Sequence, residues 1–221
     1  MRSPGPGPSA RPTPLLAGAV CTALFAVLLV LVAARWGPLI GLDGDVANGL
    51  HRLAVDDPAT TRANRILSDW IWDPWTFRLV MALVFGWLLL RGERLLAVWI
   101  AVATVASALV QQFFKWAVGR ERPQWPDPVD SAHYAAFPSG HAMTAAVSFG
   151  LLLWLLRLHG AGRAARTALL VVGAVSVLGV GLTRLYLGVH WFTDVLGGWL
   201  LGAALVLLSA ALYAYRTAAR E

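Results

Sequence analysis

The sequence predicts an all-α fold: a polytopic membrane helix bundle with six transmembrane helices and an active site at one membrane face. Composition is the first observation behind this. Of 221 residues, 58% are hydrophobic and only 14% charged, against about 45–50% and about 25% in a soluble domain. A chain of this length cannot hide such a surplus in one core, so much of it faces lipid. The second observation is distribution. The apolar residues fall into six runs of the length that a roughly 30 Å hydrocarbon core requires.

In chain order, residues 1–14 are rich in Pro, Gly and Ser and are expected to be a disordered cytoplasmic tail. Residues 15–34 form the first run. A positive N-terminus ahead of it resembles a signal peptide, but the run exceeds the roughly 7–15 residues of a signal core, so it reads as a retained anchor. Residues 36–73 are expected outside the membrane as amphipathic helices over 45–55 and 60–72, broken at Asp56-Asp57-Pro58. Trp36, Trp70, Trp72 and Trp75 are expected where these pieces meet the interface. The second run, 75–90, carries Arg78 near one end, where a long side chain can snorkel to the headgroups. The remaining runs are 95–114, 142–156, 167–182 and 195–213, and residues 216–221 read as a second cytoplasmic tail. Residues 15–215 are thus one membrane domain.

Six spans put both termini on one side. The two sides carry equal numbers of basic residues, but on the terminal side these sit in short loops and tails, including Arg91, Arg94, Arg157, Arg163 and Arg166. That density places the termini in the cytoplasm. The net charge of +6 comes from scattered arginines without a basic run, which excludes nucleic acid as a partner and favours anionic lipid. The single cysteine, Cys21, lies in an apolar run, so no intrachain disulfide forms.

Three polar stretches fall at span ends on the side opposite the termini. They are Lys115 to Pro123, Phe137-Pro138-Ser139-Gly140-His141, and Thr183 to Asp194. Lys115, Arg122 and Arg184 supply positive charge, and guanidinium forks suit the oxygens of a phosphate. Pro138 suits a first helical position, and the N–H groups after it are free helix-end donors that an anion can use with the Ser139 hydroxyl. Gly140 lets an anion approach the backbone. His190 and Asp194 are spaced i, i+4 and share a face if the last helix begins before Trp191. The carboxylate would then fix one imidazole nitrogen and leave the other as nucleophile or base. With His141 as a second histidine, one can attack phosphorus while the other protonates the leaving oxygen. Each piece alone has a plainer reading: interfacial cations for Lys115, Arg120 and Arg122, an ordinary helix start, a surface hydrogen bond. Their agreement in side, order and spacing favours one site.

Together the stretches resemble the signature of the type 2 phosphatidic acid phosphatase superfamily, membrane phosphatases of lipid phosphates and polyprenyl diphosphates related to soluble vanadium haloperoxidases. Its pattern is Lys, six residues, Arg-Pro; Pro-Ser-Gly-His; and Ser-Arg, five residues, His, three residues, Asp. Lys115, Arg122-Pro123, Pro138 to His141, Arg184, His190 and Asp194 match, and Thr183 stands where the family usually has Ser. The resemblance covers roughly residues 43–202. It implies that His190 forms a phosphohistidine, that Asp194 orients it, and that His141 protonates the leaving group and later activates water. It further implies that Lys115, Arg122, Ser139, Gly140 and Arg184 hold the phosphoryl oxygens, with no metal and no cofactor. The expected substrate is a membrane lipid such as undecaprenyl diphosphate, phosphatidic acid or phosphatidylglycerol phosphate, met at the outer face of a bacterial cytoplasmic membrane. A lipid phosphotransferase and a non-catalytic anionic-lipid-binding protein are the competing readings; six spans argue against a soluble haloperoxidase.

Overall fold

The computed structural model describes residues 14–219, so the expectations for residues 1–13 and 220–221 lie outside the described residues. The described chain is helical: α1 (Pro14–Ala33), α2 (Gly37–Asp56), α3 (Pro58–Ile66), a π-helical turn (Leu67–Ile71), α4 (Pro74–Leu90), α5 (Arg94–Val118), α6 (Gly140–Leu158), α7 (Arg163–Tyr186) and α8 (Phe192–Ala218). Six segments are long and apolar enough to cross a bilayer: α1, the Pro58–Leu90 segment that ends in α4, and α5 to α8. Their outward faces carry exposed Leu and Val, Leu90 at 91% among them, a surface that lipid rather than water accommodates.

Helix ends follow local chemistry. Asp57 breaks α2 from α3 as anticipated, its carboxylate accepting from the N–H groups of Ala59 and Thr60. Asp73 opens α4 in the same way through Trp75 N–H. Gly119, at φ +58°, ends α5 in the left-handed conformation that glycine tolerates, and turns the chain sharply away from Lys115 into the connection to α6.

Several expectations need correction. The first amphipathic helix begins at Gly37 rather than residue 45, since Pro38 sits comfortably in its first turn. The second gives way to a π-helical turn after Ile66. The spans run past their apolar cores at the site end: α5 continues through Lys115, α7 through Arg184, and α8 starts before Asp194. Pro138 is outside the helix, because Ser139 is the N-cap and Gly140 the first helical residue. Trp36, Trp70 and Trp75 are exposed as an interfacial belt requires, but Trp72 packs inward, close against Gly179 of α7.

The core lies between α1, α4, α5, α6 and α8, around Phe25, Met81, Ile100, Phe137, Met143, Leu151 and Leu201. Close approach of α6 and α8 depends on glycine. A Cβ on Gly198 would stand 2.7 Å from the Ser139 carbonyl oxygen, and one on Gly202 would stand 3.1 Å from that of Met143. This contact seats the start of α6 on the start of α8. The site thus forms at the bundle end opposite the start of α1 and the end of α8.

Candidate active site

A cavity of about 500 Å³ opens at that end. Lys115, Arg122, Gly140, His141, Arg184 and His190, drawn from three helices and two connections, all line it. Two expected residues do not reach its wall. Asp194 lies behind His190, and Ser139 is wholly enclosed, its hydroxyl without a hydrogen-bond partner.

His190 is placed by its two ring nitrogens. Nδ1 is 3.2 Å from Asp194 Oδ2, and Nε2 is 3.1 Å from an Arg122 guanidinium nitrogen. Arg122 is a donor only, so Nε2 must present its lone pair and Nδ1 must carry the proton toward Asp194. The sequence condition for this pairing is not met, since α8 starts at Phe192, after Trp191. The pair closes across the helix N-cap instead: Asp194 Oδ2 also accepts from Trp191 N–H, so one carboxylate both caps α8 and orients the imidazole. Burial, followed by the positive charges of Arg122, Arg184, Lys115 and Arg120, holds His190 well below its ordinary value of 6.5. The ring is therefore neutral, as a nucleophile or base requires.

The cations are held by acceptors that leave part of their capacity free. Arg122 donates to the carbonyls of Val189, Tyr134 and His133. Its burial and the neighbouring Arg184 lower its pKa to about 10, and it stays charged at neutral pH. Lys115 donates to the Ala135 carbonyl. Arg184 is buried; it donates to Ser68 of the π-helical turn and lies 3.8 Å from Asp130 and 4.0 Å from Asp69, while its Nε has no partner. A buried orphan donor is costly unless an acceptor visits it. At the start of α6 no side chain caps the helix, so its first N–H groups and the positive end of its dipole stay available. The Thr183 hydroxyl bonds to the Val180 carbonyl and takes no part. The α5–α6 connection is pinned by Trp125, which stacks on His51 with ring centres 3.9 Å apart and donates to the Gly188 carbonyl.

The family model described as PAP2 superfamily matches residues 96–218. The chain belongs to the PAP2 superfamily. It is similar to phosphatidylglycerophosphatase B of Bacillus subtilis, 36% identical over 102 residues that make up 45% of this chain and 49% of that one. It is also similar to the undecaprenyl-diphosphatase of Sulfolobus acidocaldarius, 27% identical over 150 residues, 64% of this chain and 63% of that one. The matched segments thus span about half to under two thirds of these curated relatives. A crystal structure of a transmembrane PAP2-type phosphatidylglycerolphosphate phosphatase from Bacillus subtilis superposes with a TM-score of 0.78 at 19% identity, covering 90% of this chain and 96% of that one. That likeness establishes the fold.

Within this PAP2 fold lies a group that the motif reading missed. Arg120, read from the sequence as an interfacial cation, is only 11% exposed at its side chain. It donates to Asp194 Oδ1 at 2.7 Å, to Thr193 Oγ1 at 2.6 Å and to Asp43 Oδ2 at 2.6 Å. Asp43, buried in α2, in turn accepts from the Thr193 backbone N–H and hydroxyl. The face of Asp194 turned away from His190 is thus fixed by a chain running back to α2. Asp43 has no motif neighbours and meets Thr193 across 150 positions of sequence, so spacing could not reveal it. A signal for Arg120 was present, since it sits between Lys115 and Arg122 within the first stretch.

Proposed function

We propose that this PAP2 protein is a membrane phosphatase that hydrolyses a lipid phosphate or polyprenyl diphosphate through a phosphohistidine on His190. The observation that carries the reading is the state of His190: neutral, with Nδ1 tied to Asp194 and Nε2 aimed at a cavity walled by Lys115, Arg122 and Arg184.

The terminal phosphate enters among these three cations and the first N–H groups of α6. Its oxygens draw the Arg122 fork from Nε2, and the freed lone pair attacks phosphorus in line. The P–O bond to the lipid breaks, and the departing oxygen takes a proton from His141, which faces the same cavity. Asp194 stabilises the imidazolium that develops on His190. Water, giving its proton to His141, then attacks the phosphohistidine, releasing inorganic phosphate and restoring His190. Charge on the transferring phosphoryl group is met by cations already in position, which is where most of the stabilisation in such sites arises.

The relatives' names point to phosphatidylglycerophosphate and undecaprenyl diphosphate as substrates to try first. The site is read on the outer face of a bacterial cytoplasmic membrane with the termini inside, because it lies opposite the chain ends and the arginine-dense short loops lie with them. The decisive experiment is phosphate release by purified protein from these lipids and phosphatidic acid, alongside His190→Ala and His141→Ala. Wild type should release phosphate from at least one of them. With donor labelled at the terminal phosphate, His141→Ala should retain acid-labile label on the protein and His190→Ala none. A His190→Ala protein working at the wild-type rate would sink the assignment, and transfer of label to an added alcohol in preference to water would make the chain a phosphotransferase.

A further inference from the structure

One cation lies on the cavity wall outside the motif set. Arg78 sits in α4, one turn in from Pro74, and its side chain is exposed on the wall of the cavity. Its guanidinium lies 4.6 Å from the centre of the Trp75 ring. Among the described residues it has neither an ion pair nor a hydrogen bond, whereas Lys115, Arg122 and Arg184 all have acceptors. Beyond that ring face, its five N–H donors have no acceptor among the described residues, and an ionisable side chain inside a membrane helix with its donors unmet calls for a ligand.

Two neutral donors share this part of the wall. Gln111 precedes Lys115 by four residues on α5, and Thr144 follows Gly140 by four on α6, so each lies about 6 Å deeper than its partner in the catalytic layer. Arg78, Gln111 and Thr144 are the three residues common to the catalytic cavity and to a small cavity of about 30 Å³ below it. Deeper still, Thr104 and Ser107 spend their hydroxyls on carbonyls of their own helix. The Gln111 amide makes no hydrogen bond among the described residues; it stands 3.0 Å from where a Gly140 Cβ would be. The polar wall therefore continues one helical turn toward the bilayer centre beyond what a single phosphate occupies.

We propose that Arg78, with Gln111 and Thr144, forms a second anion subsite that takes the non-scissile phosphate of a lipid carrying two phosphates. This rests on the phosphatase reading and follows from the direction of the tail. With the terminal phosphate at His190 and the hydrocarbon tail in the bilayer, a second phosphate lies between them, on the tailward side. That is where the Arg78 layer stands. Diphosphates of polyprenols and glycerolipids with a terminal phosphate beyond a phosphodiester share this arrangement; phosphatidic acid does not.

The test compares kcat/KM of wild type, Arg78→Ala, Arg78→Lys and Gln111→Leu on undecaprenyl diphosphate, phosphatidylglycerophosphate and phosphatidic acid, with melting in detergent to verify folding. Arg78→Ala should lower the ratio of kcat/KM for a two-phosphate lipid to that for phosphatidic acid by about 10- to 100-fold, the worth of a charge-assisted hydrogen bond. The loss should fall mainly on KM, and Arg78→Lys should recover part of it. The lipid that responds identifies the source of the second phosphate. A ratio within about twofold of wild type, or an equal loss on all three lipids, overturns the subsite while leaving the phosphatase reading intact. Failure of wild type to release phosphate from any of them removes the reading itself.

Discussion

Replacing Arg120 by methionine keeps an unbranched apolar stem and removes the guanidinium with its charge. In the structure one guanidinium, 11% exposed, serves two enclosed carboxylates, Asp43 at 1% and Asp194 at 0% exposure, at 2.6 and 2.7 Å. Without it both carboxylates remain buried, Asp43 left with the Thr193 N–H and hydroxyl and Asp194 with the Trp191 N–H and His190. Removing one partner of a buried pair costs about 3–5 kcal/mol, because the survivor keeps its desolvation penalty without compensation. Two survivors put Arg120→Met at the upper part of that range, about 4–5 kcal/mol, which for a chain of this size lowers the melting point by roughly 8–20 °C. Activity should fall further than stability at the assay temperature explains. Asp194 loses the contact that fixes its far oxygen, so it no longer holds His190 in one orientation, and misplacing a reacting group by about 1 Å can cost about 100-fold. Combining Arg120→Met with Asp43→Asn removes one of the stranded charges and should regain part of the lost stability while leaving kcat low. Melting in detergent and phosphate release on all three variants form the assay. An Arg120→Met protein within about 1 kcal/mol of wild type that turns over normally would refute the claim that this chain holds Asp194 in place.

Glycine spacing gives a second prediction. Gly198→Ala places a Cβ 2.7 Å from the Ser139 carbonyl oxygen and 3.1 Å from Met143 N, both backbone atoms that can yield only by moving the start of α6. It should cost about 1–3 kcal/mol and lower kcat, whereas Gly49→Ala in α2, which meets nothing within 4 Å, should stabilise by about 0.5–1 kcal/mol; melting and turnover of the pair check this. The third concerns pH. His190 in the fold takes up a proton only well below 6.5, while the unfolded chain takes one up near that value. The unfolded state is thus favoured as pH falls below about 6.5, by up to about 1.4 kcal/mol per pH unit, and the contribution is fully present only above that value. His190→Gln should flatten the acid side of the melting profile by that slope, and an unchanged profile would show that the ring is not buried neutral.

The six spans were legible because hydrophobic length is a direct consequence of bilayer thickness, and the motif residues were legible because each carries its chemistry in its type. The limits of the helices were not. Hydropathy falls where Lys115, Arg184 and Asp194 begin the polar layer, but the backbone continues helical there because these side chains find partners inside the protein. Nor did the sequence disclose how Arg184 is held. Its partner Ser68 lies in a π-helical turn whose extra residue per turn breaks the amphipathic period on which the reading of 60–72 relied. Trp72, at the end of that turn, follows the same irregularity and packs against α7 rather than at the interface. Ser139 was assigned to the phosphate from its place in the motif, yet its side chain is enclosed beneath the α6 start, where its backbone N–H bonds to the Asp194 carbonyl and ties the second stretch to the third.

Three cations are kept together in this site by acceptors of the protein itself. Arg184 leans on Asp69 and Asp130, but Lys115 and Arg122 are satisfied mainly by the successive carbonyls of His133, Tyr134 and Ala135. Tyr134 adopts a positive φ of 67° in this run, a conformation that costs a non-glycine residue free energy and persists only where its surroundings compensate. Here the compensation comes from the cations themselves. The carbonyls are neutral acceptors, and charged donors gain more from an anionic acceptor than from a neutral one. Under the proposed function, capture of a phosphate would exchange these contacts for stronger ones with the cations already in position. The connection over the cavity would remain anchored through Trp125 on His51 and Gly188.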